Sequence, residues 1–405
     1  MKILASIYYG TGFGGAERSL LTAAGGLQKR GHDVIIASTA DYEGVKTAKF
    51  GKYPLPLPFF QHIWLKDFLK GVIKKEGIQI VHAQDRLTSI GAVLAARELK
   101  IPAVVHFRDY WFCCTRSTCL RREGEGYAAC ERCTPERLRK CVPRYRLYWE
   151  QYKLAETRKN IPLLDSANVK IAISEAVKRK MLANGFTGDI EVVPNPVDVE
   201  MFSPRLKSEN EKNKMRARFG LKEGAKVVTF VGRLSYEKGI LALTEIIKKI
   251  LAERDDVSFL VVGDGAMRPA LENFVHESKF GGRVAVAGNV NFVELPAIYA
   301  NSDIVLFPSQ WEEPFGRIAI EAGASGTAVI MSGVSAEILS EGKTGYLVGP
   351  QNIGEWAEKI NLLLDNEKMR EQIAMDAPEF MKKFTTEVIA ERIEKIYERA
   401  LGAGV

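Results

Sequence analysis

The feature that most constrains this chain is a rhythm. Short apolar runs rich in Val and Ile, each followed by a helical pattern, come in two series. The first holds Lys2 to Ile7, Val34 to Ser38, Ile78 to His82, Pro102 to His106, Val169 to Ser174 and Glu191 to Val193. The second holds Lys226 to Val231, Val257 to Gly263, Arg283 to Gly288, Ile304 to Pro308, Ala328 to Met331 and Gly345 to Val348. Strands separated by helices require right-handed crossovers, and so a parallel sheet covered on both faces. The predicted fold class is therefore α/β, with two Rossmann-like, doubly wound parallel-sheet domains. At 405 residues the chain is long enough for both cores.

Between the series, Ser203 to Arg218 is polar and charge-rich without an apolar period, and reads as the interdomain linker. The expected domains are 1–200 and 217–384, with a closing helical segment, 385–405, that could cross back onto the first domain. Ligands of open parallel sheets bind at the carboxyl ends of the strands, so two such sheets facing each other would make a cleft. The net charge of +7 favours anionic ligands or an acidic membrane surface, and without a matching motif it does not point to nucleic acid. No apolar run approaches the ~20 residues needed to span a bilayer. The opening Ile3 to Tyr9 run leads into glycines and reads as a first strand, so the expectation is a cytoplasmic protein, or one peripheral to the membrane.

Residues with chemical potential fall just after the predicted strands. The run ending at Ser309 leads into Trp311-Glu312-Glu313-Pro314-Phe315-Gly316-Arg317, with Glu321 two turns deeper in a helix expected to open at Pro314. Two carboxylates flanking a helix mouth with free backbone N–H groups suit a ligand with hydroxyls at both ends and phosphate between. A solvated cap and a surface glutamate are the alternative. After Lys226 to Val231 comes Gly232-Arg233-Leu234-Ser235-Tyr236-Glu237-Lys238-Gly239, where a forked guanidinium and an ammonium could neutralise a diphosphate, or form a plain basic turn. Gly263-Asp264-Gly265 and Gly288-Asn289-Val290 end the next two strands. Gly10-Thr11-Gly12-Phe13-Gly14-Gly15 matches G-x-G-x-x-G after the first strand. It is open to a dinucleotide site with Asp41 as the ribose partner, a tight turn, or a loop touching phosphate or acceptor.

Taken together, Gly232-Arg233-Leu234, Glu237-Lys238-Gly239, Gly263-Asp264-Gly265, Gly288-Asn289-Val290, Tyr299, Phe307-Pro308-Ser309 and Glu313 with Glu321 resemble the GT-B retaining glycosyltransferases of the large family 4. The resemblance covers the whole second domain. The first domain matches more loosely, through Gly14-Gly15-Ala16-Glu17 and Pro194-Asn195-Pro196-Val197-Asp198, where the family usually has Gly in place of Pro196. It implies a sugar moved from a nucleotide-sugar donor to a glycan, lipid-linked or other hydroxyl acceptor. No catalytic metal or other cofactor is required, since cationic side chains and a helix N-terminus neutralise the diphosphate. By that resemblance Arg233 and Lys238 bind the diphosphate, and Glu321 takes the ribose hydroxyls. Glu313 lies beside the donor sugar, Val290 and its loop near the base, and Phe315, Gly316 and Arg317 in the phosphate cradle. Gly15 and Gly263 are further donor-side positions. Retention is then explained by same-face attack, with Glu313 as a covalent nucleophile the rival. The family often has a His-Asp or His-Glu pair where this chain has Arg108-Asp109, with His106 two positions earlier. Alternate residues of an extended segment share a face, so either His106 or Arg108 could contact the donor sugar.

All six cysteines fall between 113 and 141. Cys130 and Cys133 have the spacing of a zinc knuckle, and Cys114 (or Cys113) with Cys119 could complete a structural zinc site, Cys141 competing. Disulfides and free thiols are the other readings. Beyond this insert, Arg137 to Lys159 interleaves Arg and Lys with Tyr145, Tyr148, Trp149 and Tyr152. That mixture suits an anionic membrane holding a lipid-linked acceptor, or a solvated helix with an aromatic core face. Two rivals to sugar transfer stand: a dinucleotide-dependent oxidoreductase built on the first glycine loop, and a nucleotide-sugar-binding module without transfer.

Overall fold

The structure is a computed structural model, and it describes residues 1–10, 14–52, 58–123, 126–278, 280, 282–333 and 336–402. The chain divides into two compact units, Met1–Pro196 with Thr386–Val405, and Val197–Thr385.

The first unit begins with β1 (Lys2–Ser6), α1 (Gly15–Lys29), β2 (Asp33–Ser38), β3 (Lys46–Lys49), α2 (Pro58–Glu76), β4 (Ile80–Ala83), α3 (Arg86–Leu99) and β5 (Ala103–Phe107). The cysteine-bearing insert follows, with β6 (Leu120–Glu123), β7 (Gly126–Ala129) and α4 (Pro135–Arg139). The unit continues through α5 (Arg144–Asp165), β8 (Val169–Ala172), α6 (Glu175–Ala183) and β9 (Ile190–Val192). Its sheet is parallel throughout, in the order β3-β2-β1-β4-β5-β8-β9, and β6 and β7 form a separate antiparallel hairpin. The apolar runs became strands because both faces are buried: Ile3, Leu4, Ile35, Ile36, Ile80, Val81, Val104 and Val105 are at most 1% exposed. Sequence reading missed β3, a polar edge strand, and the hairpin, because neither carries an apolar run.

The second unit holds α7 (Glu209–Phe219), β10 (Lys226–Val231), α8 (Ile240–Glu253), β11 (Val257–Val262), α9 (Arg268–Glu277), β12 (Val284–Gly288) and α10 (Leu295–Ala300). It continues with β13 (Ile304–Pro308), α11 (Arg317–Ala324), β14 (Ala328–Ser332), β15 (Gly345–Leu347), α12 (Ile353–Asp365) and α13 (Glu367–Met381). The parallel order β12-β11-β10-β13-β14-β15 is the Rossmann order, reversing between β10 and β13.

Two boundaries are corrected. Residues 203–218, read as a linker, contain α7, whose Ser208 caps the helix by accepting from Glu211 N at 3.1 Å and whose Gly220 ends it in the left-handed region. Its polar surface hid it, since only Met215 and Arg216 are buried. The second unit accordingly starts at Val197, where the expected domain started at 217. The closing helix α14 (Thr386–Gly402) belongs to the first unit. There Ile389, Ile393, Ile396 and Tyr397 pack with Leu20, Ala23 and Leu27 of α1, and Glu394 pairs with Arg30 and, at 2.6 Å, with His32.

Candidate active site

In open parallel sheets the crevice lies outside the strand ends where strand order reverses, which in the second unit means the loops after β10 and β13. Those loops carry Arg233, Lys238 and Glu313, and Glu321 follows in α11. They are pressed together by backbone contacts that only glycine permits. Gly239 is left-handed (φ 79°), and a Cβ there would stand 1.7 Å from the Pro308 carbonyl oxygen at the end of β13. Gly263, at the end of β11, has φ 133°, and a Cβ there would meet the Gly232 oxygen at 1.9 Å. Gln310 N donates to the Glu237 carbonyl at 2.9 Å, so the two loops are hydrogen-bonded as well as packed. Gly263 thus acts by letting the Arg233 loop cross β11.

Lys238 Nζ donates to Glu313 Oε1 at 2.7 Å, where Ser309 Oγ and Trp311 Nε1 also donate, at 2.6 and 2.7 Å. The ammonium stands 5.3 Å from the centre of the Phe307 ring and 5.9 Å from that of Trp311. Glu313 is 4% exposed. A carboxylate so buried, with three donors on one oxygen, fixes the position of Lys238. Arg233 contrasts with it, its side chain 69% exposed and its acidic neighbour Glu237 at 3.9 Å. Its guanidinium has spare donors for an anion.

The helix after β13 opens later than expected. It begins at Arg317, with Gly316 as the left-handed residue before it (φ 89°), and Pro314 stays in the loop. Phe315 is 3% exposed and packs edge-on against Phe384, so it can offer a ligand only its backbone. Glu321 is not a surface residue: 3% exposed, it accepts from Arg317 Nε at 2.6 Å and from the Tyr299 hydroxyl at 3.2 Å. Burial, then the Glu321 charge, hold the Tyr299 phenol far above its ordinary pKa, so it stays a donor. Val290 is half-buried just past β12. Ser309, Trp311 and Tyr299 were visible in the sequence without a role; the two neighbours of Glu313 were flagged only by nearness in the chain.

In the first unit the strand order reverses between β1 and β4, and a second polar cluster lies at their carboxyl ends. Asp85 caps α3, accepting from Thr88 N at 2.9 Å and Tyr8 N at 2.8 Å. Arg108 is buried, its Nε donating to Gln84 Oε1 at 2.7 Å and its NH1 to Asn195 Oδ1. Asn195, noted in the Pro194-Asn195-Pro196 stretch, thereby acquires a job. Burial pushes Asp109 up to about 6 and raises Glu17. The two candidates for sugar contact do not share an open face. His106 is 1% exposed within β5, stacked on His82 at 5.4 Å with parallel rings, and His82 Nδ1 lies 2.6 Å from the Tyr397 hydroxyl of α14. Burial, reinforced by the Arg108 charge, lowers His82 to about 3 and His106 well below its usual value, so both rings are neutral. His106 is a sheet-interior residue, whereas Arg108 stands just past the strand, which ends at Phe107.

Gly15 opens α1, while Thr11, Gly12 and Phe13 of its glycine loop lie outside the described residues. Asp41, the ribose partner of the dinucleotide reading, is an exposed residue paired with Lys49 at 2.6 Å. Several of the cysteine sulfurs lie near one another: Cys114 and Cys119 are side-chain hydrogen-bond partners, and Cys114, Cys141 and Cys130 all act on Cys133. Among the described residues no three His, Cys, Asp or Glu side chains stand in metal-holding geometry. Cys113 and Cys119 sulfurs are 3.2 Å apart, while Cys133 and Cys141 turn towards the Thr134 and Arg137 carbonyls.

Comparison with known proteins matches both halves. Residues 13–201 match the model of Glycosyltransferase Family 4 and residues 211–380 that of Glycosyl transferases group 1. An uncharacterized glycosyltransferase of Methanocaldococcus jannaschii is 31% identical over 260 residues, 63% of this chain and 66% of that protein. Spore coat protein SA of Bacillus subtilis is 32% identical over 222 residues, 52% of this chain and 58% of that one. The alignments thus span less than two thirds of these relatives. Among solved structures, a glycosyltransferase from Rickettsia africae superposes with a TM-score of 0.76 at 21% identity, covering 99% of this chain and 98% of its own. HepE of Anabaena, in complex with UDP and glucose, gives 0.75 at 21%, covering 98% and 99%.

Proposed function

For a chain whose two units have the GT-B fold and match glycosyltransferase models in both halves, we propose retaining transfer of a sugar from a nucleotide-sugar donor to a hydroxyl acceptor. The observation that carries this is the cationic pair at the strand reversal of the second unit. Lys238 is held by buried Glu313 at 2.7 Å, and Arg233 is exposed beside it on a loop that glycine contacts lock to β11 and β13. A point ammonium and a forked guanidinium neutralise the charge that develops on a departing diphosphate. The N-terminus of α11, opened by Gly316, adds backbone N–H groups. Glu321 takes the ribose hydroxyls, with Arg317 and Tyr299 orienting it. In the reaction the bond from the anomeric carbon to the diphosphate oxygen breaks, the acceptor oxygen bonds to the same face, and its proton passes to the departing phosphate. Glu313, whose Oε1 already accepts three hydrogen bonds, acts as the anchor of Lys238. The same charges serve in place of a divalent ion, so activity is expected to persist in chelator.

Solved neighbours support a donor of this class: HepE holds UDP and glucose, and a starch synthase of Arabidopsis thaliana ADP and acarbose. The acceptor is a glycan, lipid-linked or other hydroxyl. The test is donor hydrolysis across UDP-, GDP- and ADP-sugars: one donor releases its nucleoside diphosphate slowly, with chelator present, and Lys238→Ala abolishes release. Arg108, committed to Gln84 and Asn195 where the resemblance expects histidine, favours one second reading, a module that binds the donor without transferring it. Binding without turnover, with every acceptor class offered, would select it.

A further inference from the structure

One helix of the first unit carries a stripe that the donor site does not use. Along α5, Tyr145, Tyr148, Tyr152, Ala155, Lys159 and Leu163 recur every three or four residues and so share one face. At one end of the stripe Tyr145 is 84% and Tyr148 83% exposed. At the other it becomes one wall of an apolar groove of about 400 Å³, closed by Ile63 of α2 and by Ile90 and Leu94 of α3. That volume is within the range of small-molecule sites. The walls are fixed. His62 of α2 meets Glu156 of α5 at 2.7 Å, and Asn160 donates to the same oxygen at 2.7 Å. Gly91 of α3 lets α2 approach so closely that a Cβ would stand 3.1 Å from the His62 oxygen. Beside the exposed tyrosines, Arg139, Lys140 and Arg144 are exposed and, among the described residues, make no ion pair within 4 Å.

We propose that this face docks on an anionic lipid surface, with the groove between α2, α3 and α5 receiving one hydrocarbon chain of a lipid. Tyrosine rings settle at the boundary between headgroups and chains, unpaired cations above them meet lipid phosphate, and an apolar slot continues from the same stripe. Charge argues against a second copy as the occupant, because a two-fold contact would set Arg144 and Lys140 against their own like in a chain of net charge +7. The inference is independent of the donor site, since it is tested without any sugar nucleotide and can fail while sugar transfer stands.

The experiment is co-sedimentation of the full chain, at low salt, with phosphatidylcholine vesicles containing or lacking phosphatidylglycerol. A photoreactive acyl chain on the phosphatidylglycerol is then mapped by mass spectrometry. Binding is expected only with the anionic lipid. It should weaken on the order of a hundredfold when Arg139→Gln, Lys140→Gln and Arg144→Gln are combined. It should also weaken with Tyr145→Ser plus Tyr148→Ser, the melting temperature unchanged because these side chains are exposed. Labels should fall on Ile63, Leu94 and Leu163 and disappear in Ala155→Trp, a folded variant with a filled groove. No binding, equal binding to neutral vesicles, or labels confined to other surfaces would overturn the proposal. So would a lipid-free dimer, seen by light scattering, that the tyrosine substitutions dissociate.

Discussion

Lys238→Met separates what the ammonium does for the fold from what it does for the ligand. In the free protein it leaves Glu313, 4% exposed, without its cation. Removing one partner of a buried ion pair costs about 3–5 kcal/mol, and because Ser309 and Trp311 still donate to Glu313, the lower end applies, about 3 kcal/mol. For a unit the size of Val197–Thr385 that is a fall in melting temperature of about 6–12 °C. Adding Glu313→Gln removes the stranded charge, so the double variant should recover to within about 1 kcal/mol of the parent. Donor binding should not recover. A charged hydrogen bond to phosphate contributes about 1.5–3 kcal/mol, so nucleoside diphosphate affinity, measured by calorimetry, should drop roughly ten- to hundredfold in both variants. Recovery of affinity in the double variant, or an unchanged affinity in Lys238→Met, would refute the assignment of Lys238 to the phosphate.

Three further outcomes are expected. Gly239→Ala puts a Cβ 1.7 Å from the Pro308 oxygen at a positive φ, and should destabilise the second unit by about 3 kcal/mol in denaturant titration while displacing Lys238 and weakening nucleotide binding. Tyr299→Phe deletes a buried hydrogen bond to Glu321 and should cost about 1–2 kcal/mol, with a rise in KM for the donor larger than any fall in kcat. Asp109, at about 6 in the fold against 3.8 for the free group, binds its proton more tightly when folded. Its contribution is therefore neutral below pH 4 and an increasing penalty as pH rises through about 6. Asp109→Asn should gain stability relative to the parent across that window, by a few kcal/mol at pH 7, read as the difference between two denaturant series.

The sheet strands were legible because a strand buried on both faces has nowhere to put a polar residue; Lys226–Val231 and Ile304–Pro308 begin and end where the apolar runs do. What escaped was structure whose side chains face water. The polar helix Glu209–Phe219 and the edge strand Lys46–Lys49 show no apolar period because almost none of their surface is buried. At the site, positions after strands identified Lys238, Arg233, Glu313 and Glu321 as candidates, but only the folded chain shows that Glu313 anchors Lys238 and that Arg317 and Tyr299 orient Glu321. For His106 the local pattern was not enough, because its ring stacks on His82 of the adjacent strand, which is itself held by Tyr397 of the last helix. The cysteines show the same limit. Their spacing allowed several four-sulfur sets, and it could not tell that Cys119 has both Cys113 and Cys114 as side-chain partners.

The central claim, a nucleotide-diphosphate site at the strand reversal of the second unit, is tested most directly by a melting-temperature screen. UDP, GDP, ADP, their sugars and NAD(P) are offered to the parent protein and to Lys238→Met. One nucleoside diphosphate and its sugar, at a hundred times the dissociation constant, should stabilise the parent by about 2.7 kcal/mol, and the variant much less. Stabilisation by NAD(P) and by no sugar nucleotide, or an equal shift in parent and variant, would contradict it.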